Sequence, residues 1–499
     1  MRKTKIVCTI GPATDDDDIM RRIMQAGMNV ARFNFSHGDY ETHQRRYEQV
    51  VRLREELGLP IATLMDTRGP EIRLGKFVDD KPVTIHDGDT YVLTTEDVLC
   101  TAERGSVSFK NLPHDVKPGT HILINDGVIE MVVNRVNSTE ITCLVIHGGV
   151  LSNNKGINVP GVTLSMPYLS EKDRNDLEFG AKMGFDFIAA SFVSTSADID
   201  YLRKYTHSLG WFNVRIIAKI ENLEGVKNID EILESADGIM VARGDLGVEI
   251  PFEQIPAVQK ELIRKGYQAG KQVITATQML ESMITNSRPT RAEITDVANA
   301  IYDGTSAIML SGETAAGAYP VEVVRTMDLI AKTTEDNIDY KHMHATYQYN
   351  KDISNAIAHA TVTTAHDLDA KAILTVTMSG VTAREISKYR PKCPIISCTI
   401  SDQVWRQMNL SWGVHPLMIG EKQNTDELFE AAVDAALEVA ENHTEFFWLM
   451  NKQGYQVRWK NEYKYVLFTN PNGKKMRNRI FENPGNYTKE AMRERFREN

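Results

Sequence analysis

The chain has 499 residues, a length that predicts about two to four domains with separate cores. Hydrophobic residues make up 42% and charged residues 25%, as in soluble globular proteins, and the net charge of -10 argues against a general binder of nucleic acids or anionic membranes. Five cysteines without CxxC spacing predict neither a disulfide framework nor a cysteine zinc site, and they favour a reducing cytosol.

Eight short apolar segments with strand character recur through the first two thirds of the chain. The first, at 5–10, is too short for a signal-peptide core or a membrane span. Helix-like segments separate most of these eight apolar segments. One example is DDDDIMRRIMQAG, in which acidic residues begin the helix and Gly27 can end it. Eight alternating strand and helix units predict a closed parallel (β/α)8 barrel. The predicted strands are residues 5–10, 29–35, 61–67, 185–192, 215–221, 238–245, 272–279 and 306–312.

The third and fourth predicted strands are separated by a long segment of different character. Between residues 70 and 168, alternating Val, Ile and Thr residues are punctuated by the turns HDGD, KPGT, INDG and VPGV, which predicts an all-β insertion. Helix and strand patterns return after about residue 338 and predict a separate α/β domain. We therefore predict a barrel at 1–70 and 169–338, a β-rich lid domain at 71–168, an α/β domain at 339–445 and an atypical tail at 446–499.

Polar residues end nearly every predicted barrel strand, and in such barrels the active site lies where the strands end. Glu221 and Asp245 end neighbouring strands, so their carboxylates can converge on one hard divalent cation, with Lys219 directed at whatever that cation holds. A buried ion pair between Lys219 and Glu221 is the alternative, which the second carboxylate disfavours. The other polar strand ends are Arg32, Asn34, Ser36, Asp66, Thr67, Arg68, Arg243, Thr277, Ser311 and Glu313.

Other polar and apolar features have less specific interpretations. The acidic run at 15–18 predicts a solvated first helical turn that complements the helix dipole, rather than a metal site. For His37, core packing and ligand contact are equally favoured, whereas Met279 and Met283 are predicted core residues. The Asp, Thr and two Arg residues of the DTRGPEIR segment favour phosphate binding over a purely structural loop.

Eight motifs resemble those of the pyruvate kinase family, in the order and at the spacing of that family. They are KTKIVCTIGPA, VARFNFSHG, DTRGPEIR, KIEN, MVARGDLGVEIP, ATQMLESM, RPTRAEITDVANA and MLSGETA. The resemblance extends from residue 3 to about 440. It implies a barrel with a β-rich lid after the third strand, a C-terminal α/β domain and a homotetramer. It also implies a cytoplasmic enzyme that transfers a phosphoryl group from phosphoenolpyruvate to ADP, the last step of glycolysis.

The resemblance implies a role for each residue at the predicted mouth of the barrel. Glu221 and Asp245 hold Mg²⁺ or Mn²⁺, and Lys219 stabilises the charge that moves between the phosphoryl group and the enolate oxygen. Backbone amides of Gly244 and Asp245, with Thr277, bind the substrate carboxylate, and Thr277 with a water chain is the implied route for proton delivery. Positions that meet the nucleotide and the transferred phosphate are Arg32, His37, Arg73 and Lys172. The implied potassium site consists of oxygen atoms from Asn34, Ser36, Asp66 and the Thr67 carbonyl.

Two positions qualify the resemblance around the nucleotide. Glu71 is the residue found in family members that need potassium, whereas independent members carry Lys, so we predict potassium activation. Asn125 stands where many relatives have an acidic residue, which leaves Asp126 as the implied lid contact to the nucleotide.

A segment of the C-terminal domain, TVTMSGVTAREISKYRP, resembles the effector loop of the family. Its hydroxyls and backbone amides are placed to bind a phosphate at a helix start. A strand-to-helix turn with ordinary capping is the alternative. The residues concerned are Thr377, Ser379, Gly380 and Thr382.

Two rival functions belong to other classes. A carbon–carbon lyase of the phosphoenolpyruvate and pyruvate barrel group also uses a divalent metal on acidic strand ends, but it needs neither the lid nor the DTRGPE loop nor Lys172. A catalytically impaired scaffold gains support only from the atypical C-terminus.

The C-terminal tail breaks the composition of the chain. Residues 451–499 contain 12 Lys and Arg against 5 Asp and Glu, a local charge of +7. Aromatic, apolar and basic residues around an NPNG turn predict a β-hairpin that faintly resembles the end of plasmid mobilisation relaxases. Nucleic-acid contact is less favoured than a solvated or self-associating hairpin. We expect the C-terminal sheet to lack its usual last strands, the sugar-phosphate response to be weak or absent and the tetramer to be less secure.

Overall fold

The structure describes two long stretches of the chain and a few short segments near its end. The computed structural model describes residues 1–340 and 352–420, three strands at 456–458, 467–469 and 475–477, and residues 491–492. The first part of the barrel comprises β1 (Lys5–Thr9), α1 (Asp17–Ala26), β2 (Val30–Asn34), α2 (Tyr40–Leu57) and β3 (Ala62–Asp66).

A β-rich insertion follows β3, as predicted, although it also contains the short helix α3. Its strands form a seven-stranded sheet in the order β4-β12-β8-β9-β10-β6-β7 and a two-stranded sheet of β5 and β11, around a separate hydrophobic core. The elements are β4 (Ile72–Arg73), β5 (Val83–Ile85), β6 (Thr90–Thr94), β7 (Arg104–Ser106), α3 (Leu112–Asp115), β8 (His121–Ile124), β9 (Ile129–Val136), β10 (Glu140–His147), β11 (Gly149–Leu151) and β12 (Gly156–Asn158).

The second part of the barrel alternates five strands with helices. Its strands are β13 (Phe187–Ala190), β14 (Arg215–Ile220), β15 (Gly238–Ala242), β16 (Gln272–Ala276) and β17 (Ala307–Leu310). Its helices are α4 (Glu171–Met183), α5 (Ser196–Ser208), α6 (Leu223–Lys227), α7 (Ile229–Ser235), α8 (Arg243–Glu249), α9 (Ile255–Gln268), α10 (Arg291–Tyr302), α11 (Gly312–Ala315) and α12 (Pro320–Asp336).

The eight predicted strands close into one parallel barrel, which confirms the predicted fold class. Their order around the barrel is β1-β17-β16-β15-β14-β13-β3-β2. The strands are apolar on both faces because one face fills the barrel interior and the other packs against the surrounding helices. Met279 and Met283 are fully buried in the outer core, as predicted.

Local caps explain why the helices begin where they do. The Asp16 carboxylate accepts hydrogen bonds from the backbone amides of Asp18 and Ile19 and caps α1, so the acidic run is a helix start, as predicted. Ser170 and Asp173 form a capping box at α4, and Asp173 also accepts a hydrogen bond from the backbone amide of Gly69. This contact holds the loop after β3 against α4.

The C-terminal domain packs on the amino-terminal face of the barrel. Its described sheet is parallel in the order β18-β19-β20. Arg406 of this domain pairs with the buried Asp186 of the barrel at 2.9 Å, and the Lys5 ammonium donates to the Val414 carbonyl at 2.5 Å. Its elements are α13 (Ile353–Asp367), β18 (Ile373–Val376), α14 (Val381–Lys388), β19 (Ile395–Thr399), α15 (Asp402–Met408) and β20 (Val414–Met418).

The predicted hairpin of the tail is present in the backbone. Strands β21 (Gln456–Arg458), β22 (Leu467–Thr469) and β23 (Lys475–Arg477) form an antiparallel sheet, and the β22–β23 connection contains the NPNG segment. The predicted loss of the last strands of the C-terminal sheet concerns residues outside the described part of the chain. Within the described part, no helix is both long enough and apolar enough to cross a membrane.

Candidate active site

The carboxyl ends of the barrel strands face the lid across a cavity of about 850 Å³. Barrel residues such as Asp245 and lid residues such as Asn125 and Asp126 line it together. Asn158 of the lid donates to Glu249 of α8 at 3.0 Å, which joins the two walls. The cavity therefore lies where the sequence predicts the active site.

Lys219 lies at the centre of a buried polar cluster at the carboxyl ends of β3, β13 and β14. Its ammonium is 2.8 Å from Glu221 Oε1, 3.0 Å from Asp66 Oδ1 and 2.7 Å from the Ser191 hydroxyl. The three acceptors match the three N–H donors of an ammonium group. The alternative interpretation, a buried ion pair between Lys219 and Glu221, is thus present in the structure. The pair is part of a larger cluster that also contains Asp66 and Ser191.

Burial and neighbouring charges shift the pKa values of this cluster. Burial raises the pKa of Glu221 to about 8, with the charge of Lys219 opposing the increase and that of Asp245 adding to it. For Asp66, burial alone would raise the pKa, but Arg32 and Lys219 outweigh it and hold the pKa below its ordinary value. Burial likewise opposes the charge of Lys219, yet Asp66 and Glu221 raise its pKa above the ordinary value. The ammonium therefore stays charged at neutral pH.

Arg32 is fixed from two sides at the end of β2. Its Nε donates to Asp66 Oδ2 at 2.6 Å, and Nη1 donates to the Thr9 hydroxyl at 2.9 Å. Only 9% of the residue is exposed. Asp66 therefore holds Arg32 and Lys219 together, so two positive charges lie side by side in the barrel.

Asp245 differs from the other carboxylates of the site. It lines the cavity, lies close enough to Glu221 to raise the pKa of that residue, and accepts no hydrogen bond from any residue that the structure describes. Residues 1–340 and 352–420 and the short tail segments contain no cluster of three or more His, Cys, Asp or Glu residues able to hold a metal. Glu221 and Asp245 are neighbouring carboxylates that follow β14 and β15.

Thr277 occupies a strained turn directly after β16. Its φ is 67°, in the left-handed region that side chains other than glycine rarely adopt. Arg243 holds the turn, because its guanidinium donates to the Ala276 carbonyl at 3.2 Å and to the Thr277 carbonyl at 2.5 Å. The Thr277 hydroxyl then accepts from the Gly244 amide at 2.9 Å. The sequence predicted that Arg243 lies at a strand end. That its guanidinium holds the Thr277 turn became apparent only from these hydrogen bonds.

Lys172, one of the residues predicted to meet the nucleotide, lies on α4 beside the loop that follows β2. Lys172 donates to the Phe35 carbonyl at 3.1 Å and pairs with the fully buried Asp176 at 2.6 Å. Tyr40 donates to the other oxygen of Asp176 at 2.6 Å. Asp176 was not among the residues predicted from the sequence. It follows Lys172 by four residues on α4, and this spacing is typical of ion pairs within a helix.

Glu71 connects two arginines of the loop after β3. Its Oε2 accepts from Arg68 Nε at 3.1 Å and from Arg73 Nε at 2.7 Å. Arg73 also donates to the Asn154 carbonyl at 2.8 Å. His37 is exposed on the cavity wall, so the interpretation as a packed core histidine is wrong.

The oxygen atoms of the predicted potassium site lie around the ends of β2 and β3. The Asn34 amide oxygen accepts from the Ser36 backbone amide at 3.1 Å, and the Asp66 carbonyl accepts from the Phe35 amide at 3.0 Å. The Thr67 carbonyl accepts from the Ser191 hydroxyl at 2.7 Å. The Asn34 amide oxygen and the Thr67 carbonyl oxygen each accept one hydrogen bond and thus keep a second lone pair.

Other predicted residues have local structural contacts. Glu313 accepts hydrogen bonds from the backbone amides of Ser311 and Leu280, at 2.6 and 3.2 Å, and is buried. In the C-terminal domain, the buried Thr377 hydroxyl accepts from the Gly380 amide at 2.9 Å, which is the capping contact of the alternative interpretation. Ser379 and Thr382 are exposed on the same turn.

The comparisons with known proteins agree with this geometry. The family model described as "Pyruvate kinase, barrel domain" matches residues 1–324, and "Pyruvate kinase, alpha/beta domain" matches residues 355–453. The second match ends within the segment that we predicted to be an atypical tail.

Proteins with this name from two bacteria are similar along most of the chain. A pyruvate kinase of Geobacillus stearothermophilus is 50% identical over 440 residues, covering 87% of this chain and 75% of the relative. One from Clostridium acetobutylicum is 47% identical over 441 residues, covering 88% and 93%. The crystal structure of a pyruvate kinase from Cryptosporidium parvum superposes with a TM-score of 0.85 at 38% identity, covering 95% of this chain and 96% of that chain.

Proposed function

This chain belongs to the pyruvate kinase family, and we propose that it transfers the phosphoryl group of phosphoenolpyruvate to ADP at the mouth of its barrel. The observation that carries the proposal is the position of Lys219, whose charge is held by Asp66, Glu221 and Ser191 beside the cavity. Phosphoryl transfer needs mainly positioning and electrostatic stabilisation, and a fixed ammonium supplies both.

A divalent cation fits Glu221 and Asp245. Mg²⁺ is usually bound by one or two carboxylates, with water and substrate oxygens completing its octahedron. The half-buried Asp245 carboxylate, which has no hydrogen-bond donor among the described residues, and the buried Glu221 with a raised pKa are two acceptors that a cation would satisfy. Mg²⁺ or Mn²⁺ held there would neutralise charge on the substrate and on the phosphoryl group.

The residues around this site have separate tasks in the proposed reaction. Lys219 stabilises negative charge as it moves from the phosphoryl group to the enolate oxygen. Arg32 faces the transferred phosphoryl group from the side of β2. Thr277 orients the substrate carboxylate with the amides of Gly244 and Asp245, and it stands at the proposed route for the proton that converts the enolate to pyruvate.

The proposed nucleotide site uses side chains that follow β2 and β3 and one side chain of α4. His37, Arg73 and Lys172 bind the phosphates of ADP, and Asp176 sets the position of Lys172 through their 2.6 Å pair. Asp126 of the lid approaches the same region, whereas Asn125 supplies no negative charge there.

A monovalent cation fits the oxygen set at β2 and β3. Asn34, Ser36, Asp66 and the Thr67 carbonyl would hold it, because hard cations take oxygen ligands. Bound there, K⁺ would add positive charge beside the transferred phosphoryl group. A cytoplasmic location, a homotetramer and a phosphate-binding loop at Thr377, Ser379, Gly380 and Thr382 are further proposals that follow from family membership.

One coupled assay tests the function against its rivals. Purified protein receives phosphoenolpyruvate and ADP with Mg²⁺ and K⁺, and both ATP and pyruvate are quantified. Formation of the two products in equal amounts supports the kinase. Pyruvate without ATP would mean that the phosphoryl group passes to water rather than to ADP, which would contradict the proposal. No turnover of this mixture would favour a lyase or an impaired scaffold.

A further inference from the structure

Ser191, the residue directly after β13, was not among the residues that we predicted from the sequence. Its hydroxyl accepts a hydrogen bond from Lys219 Nζ at 2.7 Å and lies 2.7 Å from the Thr67 carbonyl oxygen. An ammonium can only donate and a carbonyl can only accept, so the single hydroxyl proton must point to Thr67. Asp66 Oδ1, at 3.5 Å, is a more distant acceptor.

The surroundings of Ser191 leave this hydroxyl one position. The residue is 2% exposed, its amide donates to the Thr67 hydroxyl at 3.2 Å, and its carbonyl accepts from Tyr168 at 3.2 Å. On its other side, Gly69 approaches so closely that a Cβ there would lie 2.8 Å from Ser191 Cβ. Packing and backbone contacts therefore hold the residue in place, while Lys219 and the Thr67 carbonyl together orient its hydroxyl.

Among the three acceptors around Lys219, Ser191 is the uncharged one. Asp66 is shared with Arg32, and Glu221 is shared with the proposed divalent cation. A neutral acceptor fixes the ammonium without neutralising it, which keeps its charge available to the reacting phosphoryl group.

We propose that Ser191 is a positioning residue that couples the monovalent-cation site to Lys219 through the chain Lys219 Nζ–H, Ser191 O–H and the Thr67 carbonyl. This inference rests on the proposed function, because it assigns a task within the same site. The hydroxyl proton orients the Thr67 carbonyl, whose second lone pair would face the cation. The hydroxyl oxygen accepts the hydrogen bond that anchors Lys219. Occupancy of the cation site and the position of Lys219 are thus linked by two hydrogen bonds.

The test compares Ser191→Ala with the matched control Ser306→Ala. Ser306 is equally buried, and its hydroxyl also makes two hydrogen bonds, both accepted, from the Val273 amide and Arg390. It lies at the amino-terminal end of the barrel, beside β17. Measured quantities are kcat, the K⁺ concentration for half-maximal activity, Tl⁺ affinity by thallium NMR, and Mn²⁺ affinity by electron paramagnetic resonance. The wild-type protein is assayed alongside, so failure of the proposed function appears as absence of wild-type turnover.

Removal of a group that orients ligands typically costs about 10- to 100-fold in metal affinity or activity. We expect Ser191→Ala to lose kcat and Tl⁺ affinity within that range, to need correspondingly more K⁺, and to keep wild-type Mn²⁺ affinity. Lower kcat with unchanged K⁺ requirement and Tl⁺ affinity would overturn the proposal, as would an equal effect in Ser306→Ala. Should the alanine variant fail to fold, Ser191→Cys decides by the same criteria, since a thiol fills the space with only a weak donor and acceptor.

Discussion

At the scale of single residues, the site depends on which carboxylate holds which cation. Asp66 is buried between Arg32 and Lys219, and its lowered pKa reflects both contacts. Glu221 has only one cationic partner among the described residues and a raised pKa, whereas Asp245 has none. The first carboxylate therefore organises protein cations, and the other two are available to a metal.

Lys219→Met should remove most turnover while leaving Mn²⁺ and phosphoenolpyruvate binding largely intact. The methionine keeps the length of the side chain but not the charge that stabilises the transition state. Loss of one contact of this kind costs about 10²- to 10³-fold in kcat. Steady-state kinetics and equilibrium binding check this, with the exposed Lys204→Met on α5 as control. Near-normal turnover of Lys219→Met would refute the role.

Asp245→Asn should raise the Mg²⁺ concentration needed for half-maximal activity at least about 10-fold. The substitution replaces a charged ligand of the metal by a neutral one. The exposed Glu253→Gln, in the segment that follows α8, controls for the change in net charge. Titration of activity with MgCl₂ measures the effect. An unchanged Mg²⁺ requirement would count against Asp245 as a ligand.

Glu71 should make the enzyme dependent on potassium. We expect wild-type activity to fall strongly in potassium-free buffer of equal ionic strength, and Glu71→Lys to retain activity there, since an ammonium can replace the cation. Arg73 loses its partner at 2.7 Å in this variant, so its KM for ADP should rise. Equal wild-type activity with and without potassium would contradict the prediction.

At the scale of elements, strand ends and helix starts determine which side chains reach the site. The strand pattern predicted where Lys219 and Glu221 lie, because buried parallel strands expose polar residues only at their ends. Ser191 could not be selected in the same way, since a serine that ends an apolar strand has no distinguishing pattern. The bracing of Thr277 by Arg243 likewise depends on a left-handed turn that its sequence, which lacks glycine, does not signal.

The turn between β18 and α14 should give a weak response to sugar phosphates. The Gly380 amide already donates to the Thr377 hydroxyl at 2.9 Å, and both groups are buried, so this N–H is not free to bind a phosphate. We expect fructose 1,6-bisphosphate or a hexose monophosphate to change the apparent affinity for phosphoenolpyruvate by less than the roughly 5- to 150-fold typical of allosteric coupling. Titration of initial rates with each compound measures this, and strong activation would show the prediction wrong.

At the scale of the whole molecule, the sequence predicted the domains' architecture better than the contacts between them. Alternating apolar strands and helices indicate a barrel because each unit is local in sequence. The contact between Lys5 and Val414 joins residues 409 positions apart, and that between Asp186 and Arg406 joins residues 220 apart. No periodicity relates such residues, so the docking of the C-terminal domain on the barrel became apparent only in three dimensions.

The Lys5 contact predicts how stability depends on pH. Burial lowers the pKa of Lys5 to about 7, the charge of Arg2 adds to the decrease and Glu335 opposes it. The other nearby base, His415, stays neutral because burial holds its pKa well below the ordinary value. Between the lowered pKa and the ordinary lysine value, the unfolded chain binds more protons than the folded chain, so the Lys5 contribution to stability increases as pH rises through this window.

Lys5→Met removes this titration together with the donor to the Val414 carbonyl. We therefore expect the melting temperature of the wild type, relative to that of Lys5→Met, to increase between pH 7 and about pH 9. Differential scanning calorimetry at a fixed scan rate measures both proteins, and Lys204→Met controls for the lost surface charge. If the two melting curves shift in parallel with pH, Lys5 is not titrating in the folded chain, and the contact between barrel and C-terminal domain retains its charge throughout.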